Sequence, residues 1–408
     1  MNRPYRIHLA SLTLTKMADG LIDPKLVLAW LLNAIGASGV LIGLLVPVRE
    51  AGALLPQLLL ARVIQRTHIR KYFWAMGAAV QGLAALGMAA AAAFLPGTVA
   101  GWVIVALLAV LAVARAACSA SYKDILGRTV EKGARGKVSG SAGTMAAIAV
   151  FAFAILLSLG WLPREPLVIS GAIALAGCLW LLGAATFSTL NEPSDDSASE
   201  ADVSIAGLMR PLREDAEFRY YIATRAQLIS TALAPPFLVM LGSGVGDAGF
   251  GNLGLLVLAS SIASIASSYV WGALSDWSSR QTLVLAGALS GVTLTAAAAF
   301  GLLVGAESGL LIAAYVFVSQ IAYQGARAGR KTHLTDMDSD GHKSVYTALS
   351  NTLIGVLLLL GGILGAISDV AGAETVLLIL AGLSFSAILS AYQLSEVQAD
   401  VREDSAAS

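Results

Sequence analysis

FWAMGAAVQGLAALGMAAAAAFLPGTVAGWVIVALLAVLAVARAACSA, residues 73–120, holds one charged side chain, Arg115. Two apolar runs share this stretch, at 73–95 and 99–120. Each is long enough to cross the ~30 Å hydrocarbon core of a bilayer as a helix. Working outward, runs of the same kind recur at 25–47, 51–65, 138–160, 166–188, 220–241, 250–273, 281–303, 309–327, 345–367 and 373–394. The whole 408-residue chain is 57% hydrophobic and only 13% charged, with a mean hydropathy of +0.76. A water-soluble protein carries about 25% charged residues, because its outside must be polar. In hydrocarbon only helices and closed barrels satisfy their own backbone. The runs lack the apolar-out, polar-in alternation of a barrel strand. The expectation is therefore an all-α integral membrane protein of twelve transmembrane helices.

Basic residues place the ends of these spans. Arg62, Arg66, Arg70 and Lys71 follow the second span, and Lys123, Arg128, Lys132, Arg135 and Lys137 follow the fourth. Arg210, Arg213 and Arg219 follow the sixth, Arg280 the eighth, and Arg330, Lys331 and Lys343 the tenth. The opposite loops hold only Arg49 and Arg164. Basic loops mark the cytoplasmic side. Both termini are then expected in the cytoplasm of a cell (inner) membrane protein, and no cleavable signal peptide is read at Met1–Lys16.

The acidic, small-residue stretch from Asn191 divides six spans from six. The expected organisation is a six-helix bundle over 1–189, a cytoplasmic linker over 190–218, a second bundle over 219–395 and a polar, mobile tail over 396–408. The halves carry a faint repeat. A shift of 208 lays Lys123 on Lys331, Leu126 on Leu334, Gly133 on Gly341 and Arg135 on Lys343. Parallel repeats of this kind build transporters, whose solute sites lie near the bilayer midplane.

Several function classes are disfavoured. Zero net charge gives no footprint for nucleic acid. Cys118 and Cys178 lie in apolar runs and read as small buried thiols, without a metal or disulfide framework. His8, His68, His333 and His342 fall in the N-terminal segment and in loops. No Walker loop or nucleophile elbow appears. The chain is read as a non-enzyme, with no cofactor and no metal.

Gly272-Ala273-Leu274-Ser275-Asp276-Trp277-Ser278-Ser279-Arg280 resembles the loop signature of the major facilitator superfamily, Gly-x-Leu-Ala-Asp followed by basic residues. The six-linker-six order resembles that family along the whole chain, in the manner of bacterial drug and metabolite exporters. The equivalent after span two, Ala61 to Lys71, is degenerate: Ala61 stands for the glycine and Gln65 for the acid. Leu111 to Ser119 is similar to the family segment in which an arginine near the cytoplasmic end of span four is implicated in proton-coupled exchange. Here Cys118-Ser119 replaces the usual glycine. Span five has Gly140 and Gly143 but lacks the proline of drug–proton antiporters. The resemblance implies two six-helix bundles that alternate access to a solute, with proton-coupled export as the direction. A uniporter or importer of an organic anion, and a non-transporting receptor or assembly factor, stand as alternatives.

In the gating segment, Gly272 is expected to let two helices approach, and Asp276 to pair with Arg280 as a latch. The plain alternative is that Asp276 only ends a helix. Ionisable groups at membrane depth are functional candidates. Arg115 and Arg225 read either as snorkelling side chains or as a basic half-cavity for an anionic solute, and Arg327 as a snorkelling one. Glu50, beside Arg49 where spans one and two meet, is the candidate proton carrier, with Asp23 next. Asp19 and Asp23 precede span one on this reading. Uncharged candidates for the pathway are Asn33, Gln57, Gln81, Gln227, Gln320, Gln324 and Asn351. Pro235-Pro236 is expected to break span seven. The expected partners are a small-molecule solute, protons and membrane lipid, with the chain acting as a monomer.

Overall fold

The structure, a computed structural model, describes residues 3–56, 60, 67–131, 134–163, 165–193, 210–243, 253–303, 309–337 and 343–398. Its regular elements are α-helices, grouped in two compact units, Met1–Asp202 and Val203–Ser408. The first unit contains α1 (Arg3–Leu21), α2 (Val27–Ala34), α3 (Gly39–Leu54), α4 (Lys71–Phe94), α5 (Gly97–Thr129), α6 (Arg135–Ser158) and α7 (Pro166–Ser188). Helix α4 packs against α5 and α7, α1 against α6 and α7, and α3 against α5. Small residues allow this closeness. A Cβ on Gly82 would stand 2.8 Å from the Gly177 carbonyl, and one on Gly177 would stand 2.9 Å from the Gly82 carbonyl. The backbones of α4 and α7 therefore touch, which membrane bundles use where no hydrophobic drive exists between helices.

The second unit contains α8 (Ala216–Gln227), α9 (Ser230–Ser243), α10 (Leu253–Trp277), α11 (Ser279–Leu303), α12 (Gly309–Asp336), α13 (Lys343–Leu360) and α14 (Ile363–Ala391). Asp215 caps α8 by accepting the Phe218 amide at 3.1 Å. Helix α11 packs on α12 and α14, and α10 on α12. At Gly372, φ +83°, the chain turns inside α14. That kink falls between the expected eleventh and twelfth spans.

Eight described helices are individually long and apolar enough to cross a membrane: α4, α5, α6, α7, α10, α11, α12 and α14. The other expected spans fall on shorter helices. Span seven is α8 followed by α9, and span eleven begins with α13. The first span needs correction, and most of the second, from 57 to 65 apart from residue 60, lies outside the described residues. Residues 25–47 do not form one helix, because the chain turns at 35–38, where Gly36 takes φ +74°, a conformation glycine adopts freely. Before that turn, α2 is preceded by α1, with the break at Asp23-Pro24. Proline there cannot supply a helical amide, and the Lys25 amide donates to Asp23 Oδ1 at 2.8 Å. Helix α1 escaped the apolar reading because Ser11, Thr13, Thr15, Lys16 and Asp19 dilute it. Ser11, Thr13 and Thr15 are buried.

Other expectations also shift. Arg49 and Glu50 lie within α3 rather than in an outer turn. Pro235 and Pro236 lie inside the continuous helix α9. The break in span seven falls at Leu228-Ile229 instead. Inside a bundle, neighbouring groups compensate for a proline's missing amide. Lys123 and Lys331, expected in loops, lie on α5 and α12, because these helices continue past the apolar stretch. His8 and His333 are fully buried on helices, not in loops. Cys118 is buried as expected, but Cys178 is exposed on the outer face of α7. At the start of the expected tail, Glu396 and Gln398 are hydrogen-bonded to Ser278 and Ser279, and residues 399–408 lie outside the described residues.

Candidate functional site

In the first unit, α1 and α5 bring opposite charges together. The Asp19 carboxylate accepts both of its oxygens' bonds from one Arg115 guanidinium nitrogen, Nη1. Arg49 of α3 donates to Asp19 Oδ1 at 2.9 Å. One carboxylate is thus held between two guanidiniums drawn from two other helices. The Asp19 side chain is 23% exposed, Arg49 11% and Arg115 39%. Glu50 is half-buried beside Arg49, and its charge acts on both arginines.

A cavity of about 300 Å³ opens against this pair. Its wall is stepped by helical periodicity. On α1 it carries Leu12, Thr15, Lys16 and Asp19, and on α5 it carries Arg115, Cys118, Ser119 and Tyr122. Residues three and four apart share a face, so each set forms one stripe. Lys16 Nζ donates to the Ser139 carbonyl at 2.9 Å, and the absence of a side chain on Gly143 leaves room for it. From α4 come Trp74, Ala78 and Gln81, and from α7 comes Trp180. Gln81 Nε2 lies 3.3 Å from Cys118 Sγ, which in turn lies 3.3 Å from the Trp74 carbonyl. Gly77 makes this possible, since a Cβ there would stand 2.7 Å from that sulfur.

The sequence leaves Asp19 ahead of the first apolar run and gives Lys16 no role, because polar residues dilute the apolar signal of α1. The signal was present: Leu12, Thr15, Lys16 and Asp19 fall at helical spacing. Among the sequence candidates, Arg115 and Gln81 line the cavity. Asn33 sits at the end of α2, where its carbonyl accepts the Gly36 amide at 3.1 Å. Gln57 lies outside the described residues.

The second unit holds a separate polar cluster. Arg225 of α8 is buried and donates to the Ser350 hydroxyl and, at 2.9 Å, to Asn351 Oδ1, both on α13. Two expected candidates, Arg225 and Asn351, are therefore brought together. Gln227 Oε1 accepts the Ser390 hydroxyl. Gln320 and Gln324 both donate to Ser264 Oγ, at 2.9 and 3.1 Å. These amides bridge helices.

The gating segment differs from expectation. A Cβ on Gly272 would meet nothing within 4 Å, so it is not a close-approach position. Asp276 is exposed. Among the described residues, Arg280 pairs with Glu396, Nε to Oε1 2.8 Å, and not with Asp276. The reason is geometric: α10 ends at Trp277 and α11 starts at Ser279, so the helix reverses between the two residues. Ser278 also donates to Glu396, at 2.8 Å, and Ser279 donates to Gln398 Oε1 at 2.9 Å. His333 bridges Ser279 and Glu217, at 2.9 and 3.0 Å.

No protein-family model matches the chain, and no curated protein matches it in sequence. Solved structures do match. A point mutant of the nucleoside transporter NupG superposes with a TM-score of 0.74 at 13% identity, over 96% of this chain and 99% of that one. A POT family transporter in complex with a thioalcohol-conjugated peptide superposes with a TM-score of 0.71 at 10% identity, over 95% of each chain. Likeness at these identities shows the fold. The chain has the all-helical fold of major facilitator transporters.

Proposed function

We propose that this chain is a secondary transporter that carries a small anionic solute across a membrane by alternating access of its two units, coupled to a proton at Asp19. The observation that supports it is the Asp19 carboxylate clamped by Arg49 and Arg115 at the edge of a cavity. Lys16, Arg49 and Arg115 face two carboxylates, Asp19 and Glu50, so the site carries an excess of positive charge. An entering anion competes with Asp19 for Arg115, the more exposed guanidinium. A carboxylate at this depth that loses a cation is left poorly compensated, and a proton satisfies it. Arg49 then stays with the protonated side chain as a hydrogen-bond donor.

On this scheme solute and proton bind together. That supports uptake driven by an inward proton gradient. The export expected from sequence would require the proton to leave as the solute arrives. Asp19 replaces Glu50 as the coupling carboxylate in this reading, and Asp23 becomes the residue that closes the α1–α2 break. Asp276 keeps a latch role at the exposed end of α10, without Arg280 as its partner. The basic loops support cytoplasmic termini in an inner membrane.

The test is accumulation in proteoliposomes under an imposed inward pH gradient. A panel of labelled small organic anions and matched neutral analogues would be offered. Accumulation of an anion that collapses when the gradient is dissipated supports the proposal. Gradient-independent equilibration would leave a uniporter, and export-only flux would reverse the direction.

A further inference from the structure

The charged pair explains how an anion is held, but not why the rest of the cavity is aromatic. Asp19 and Arg115 lie at one level. Leu12 lies seven residues before Asp19 on α1, and Tyr122 seven residues after Arg115 on α5. At 1.5 Å per residue, each is displaced by roughly 10 Å along its helix. Trp74 joins Tyr122 at that far level, with ring centroids 6.5 Å apart. Behind them Trp74 packs on Phe187, with centroids 4.0 Å apart, and His8 meets Phe187 edge-on at 5.2 Å. The aromatic wall is thus backed by packed rings and cannot fold away easily. Trp180, seven residues before Phe187 on α7, lines the cavity roughly 10 Å nearer the charged level and is almost fully buried.

The cavity therefore has the guanidinium of Arg115 at one level and the Trp74 and Tyr122 rings about two helical turns away, with Trp180 lining it between them and Lys16 held on the Ser139 carbonyl. Its volume, about 300 Å³, lies at the lower limit of ligand sites, which run roughly 300–1,000 Å³. We propose that the solute is a small aromatic monocarboxylate, a single flat ring bearing one carboxylate. Its carboxylate takes the donors of Arg115 and its ring lies beside Trp180, with its far edge towards Trp74 and Tyr122. Offset and edge-to-face ring contacts favour an aromatic body over an aliphatic chain of the same size. The inference rests on the transport reading for its purpose, but it concerns equilibrium binding alone.

The experiment uses the full-length protein in detergent, titrated calorimetrically with benzoate, acetate and benzyl alcohol as probes. Benzoate carries both ends, acetate only the charge, and benzyl alcohol only the ring. The expected result is benzoate binding at least tenfold tighter than either of the others, reduced at least tenfold by Arg115→Gln. Tyr122→Leu is expected to narrow the gap between benzoate and acetate. If a variant fails to fold, the three-probe comparison on the unaltered chain still decides. Acetate or benzyl alcohol binding as tightly as benzoate overturns the inference, as does no benzoate binding at all. Transport of an aliphatic anion without benzoate binding would sink this inference and leave the transport reading intact. Benzoate binding with no flux of any solute would uphold the inference and sink the transport reading.

Discussion

Separating Asp19 from Arg115 leaves a guanidinium and a carboxylate at membrane depth without each other. Unit charges about 4 Å apart attract by about 4 kcal/mol at an effective dielectric of about 20. Arg115 is 39% exposed, so water screens part of this, and about 2 kcal/mol is the expected coupling. Arg49 moderates the loss on the Asp19 side, since its bond at 2.9 Å survives Arg115→Gln. Asp19→Asn is harsher, because it strands two guanidiniums. Breaking buried pairs costs about 3–5 kcal/mol, and the partial exposure here brings the expectation to roughly 2–4 kcal/mol for Asp19→Asn. Arg115→Gln should cost about 2 kcal/mol. The double variant should cost about 2 kcal/mol less than the two singles together. The assay is reversible unfolding in mixed micelles, followed by the fluorescence of the seven tryptophans. Additive costs, with coupling under about 0.5 kcal/mol, would refute the claim that the two side chains form one energetic unit.

Further outcomes follow from other packing. Gly82→Val drives a side chain into the Gly177 carbonyl, 2.8 Å from the first added carbon. It should destabilise the first unit by about 1–3 kcal/mol in the same unfolding assay. Truncation after Leu394 removes Glu396 from Arg280, and Gln398 from Ser279 and Asp336. It should cost about 1–2 kcal/mol, whereas Asp276→Asn should shift the unfolding midpoint by less than about 0.5 kcal/mol, as exposed changes do. Glu217 lies in the first turn of α8, ahead of the apolar stretch. Burial pushes its carboxyl up, but bonds from His333 and the Ser395 amide outweigh that and hold it below its ordinary value. Its contribution to stability is then present above the unfolded value of about 4.3 and is lost as the pH falls through the lower folded value. Glu217→Gln should flatten that part of an unfolding-midpoint profile measured from pH 7 to pH 3.

The fold class was legible because lipid imposes a simple rule on composition, and long runs such as 73–95 obey it without interruption. Helices that line a polar interior do not. Helix α1 carries Ser11, Thr15, Lys16 and Asp19 on the side that meets its neighbours. An apolar window therefore slides past it and settles on 25–47, across a turn. That single displacement put Asp19 ahead of the first expected span and Glu50 at the edge of the second. Arg115 was found because it interrupts an otherwise uncharged run, and Arg225 with Asn351 because both are polar within apolar surroundings. Their partners depend on which helices pack together, which spacing along one helix does not encode. The Arg280–Glu396 pair illustrates the same point. The two residues are far apart in sequence, and the local motif suggested Asp276 instead.

The central claim is that Asp19 takes a proton when the solute arrives. Proteoliposomes with a trapped pH dye, given benzoate without any imposed gradient, test it most directly, with Asp19→Asn and Glu50→Gln in parallel. Protein-free liposomes set the baseline, because benzoic acid also diffuses through lipid with its proton. The account predicts that solute entry acidifies the lumen faster than this baseline for the unaltered chain and for Glu50→Gln. It predicts that Asp19→Asn returns the rate to the baseline while benzoate still binds. Acidification above the baseline that survives Asp19→Asn, or that is lost only in Glu50→Gln, would contradict it.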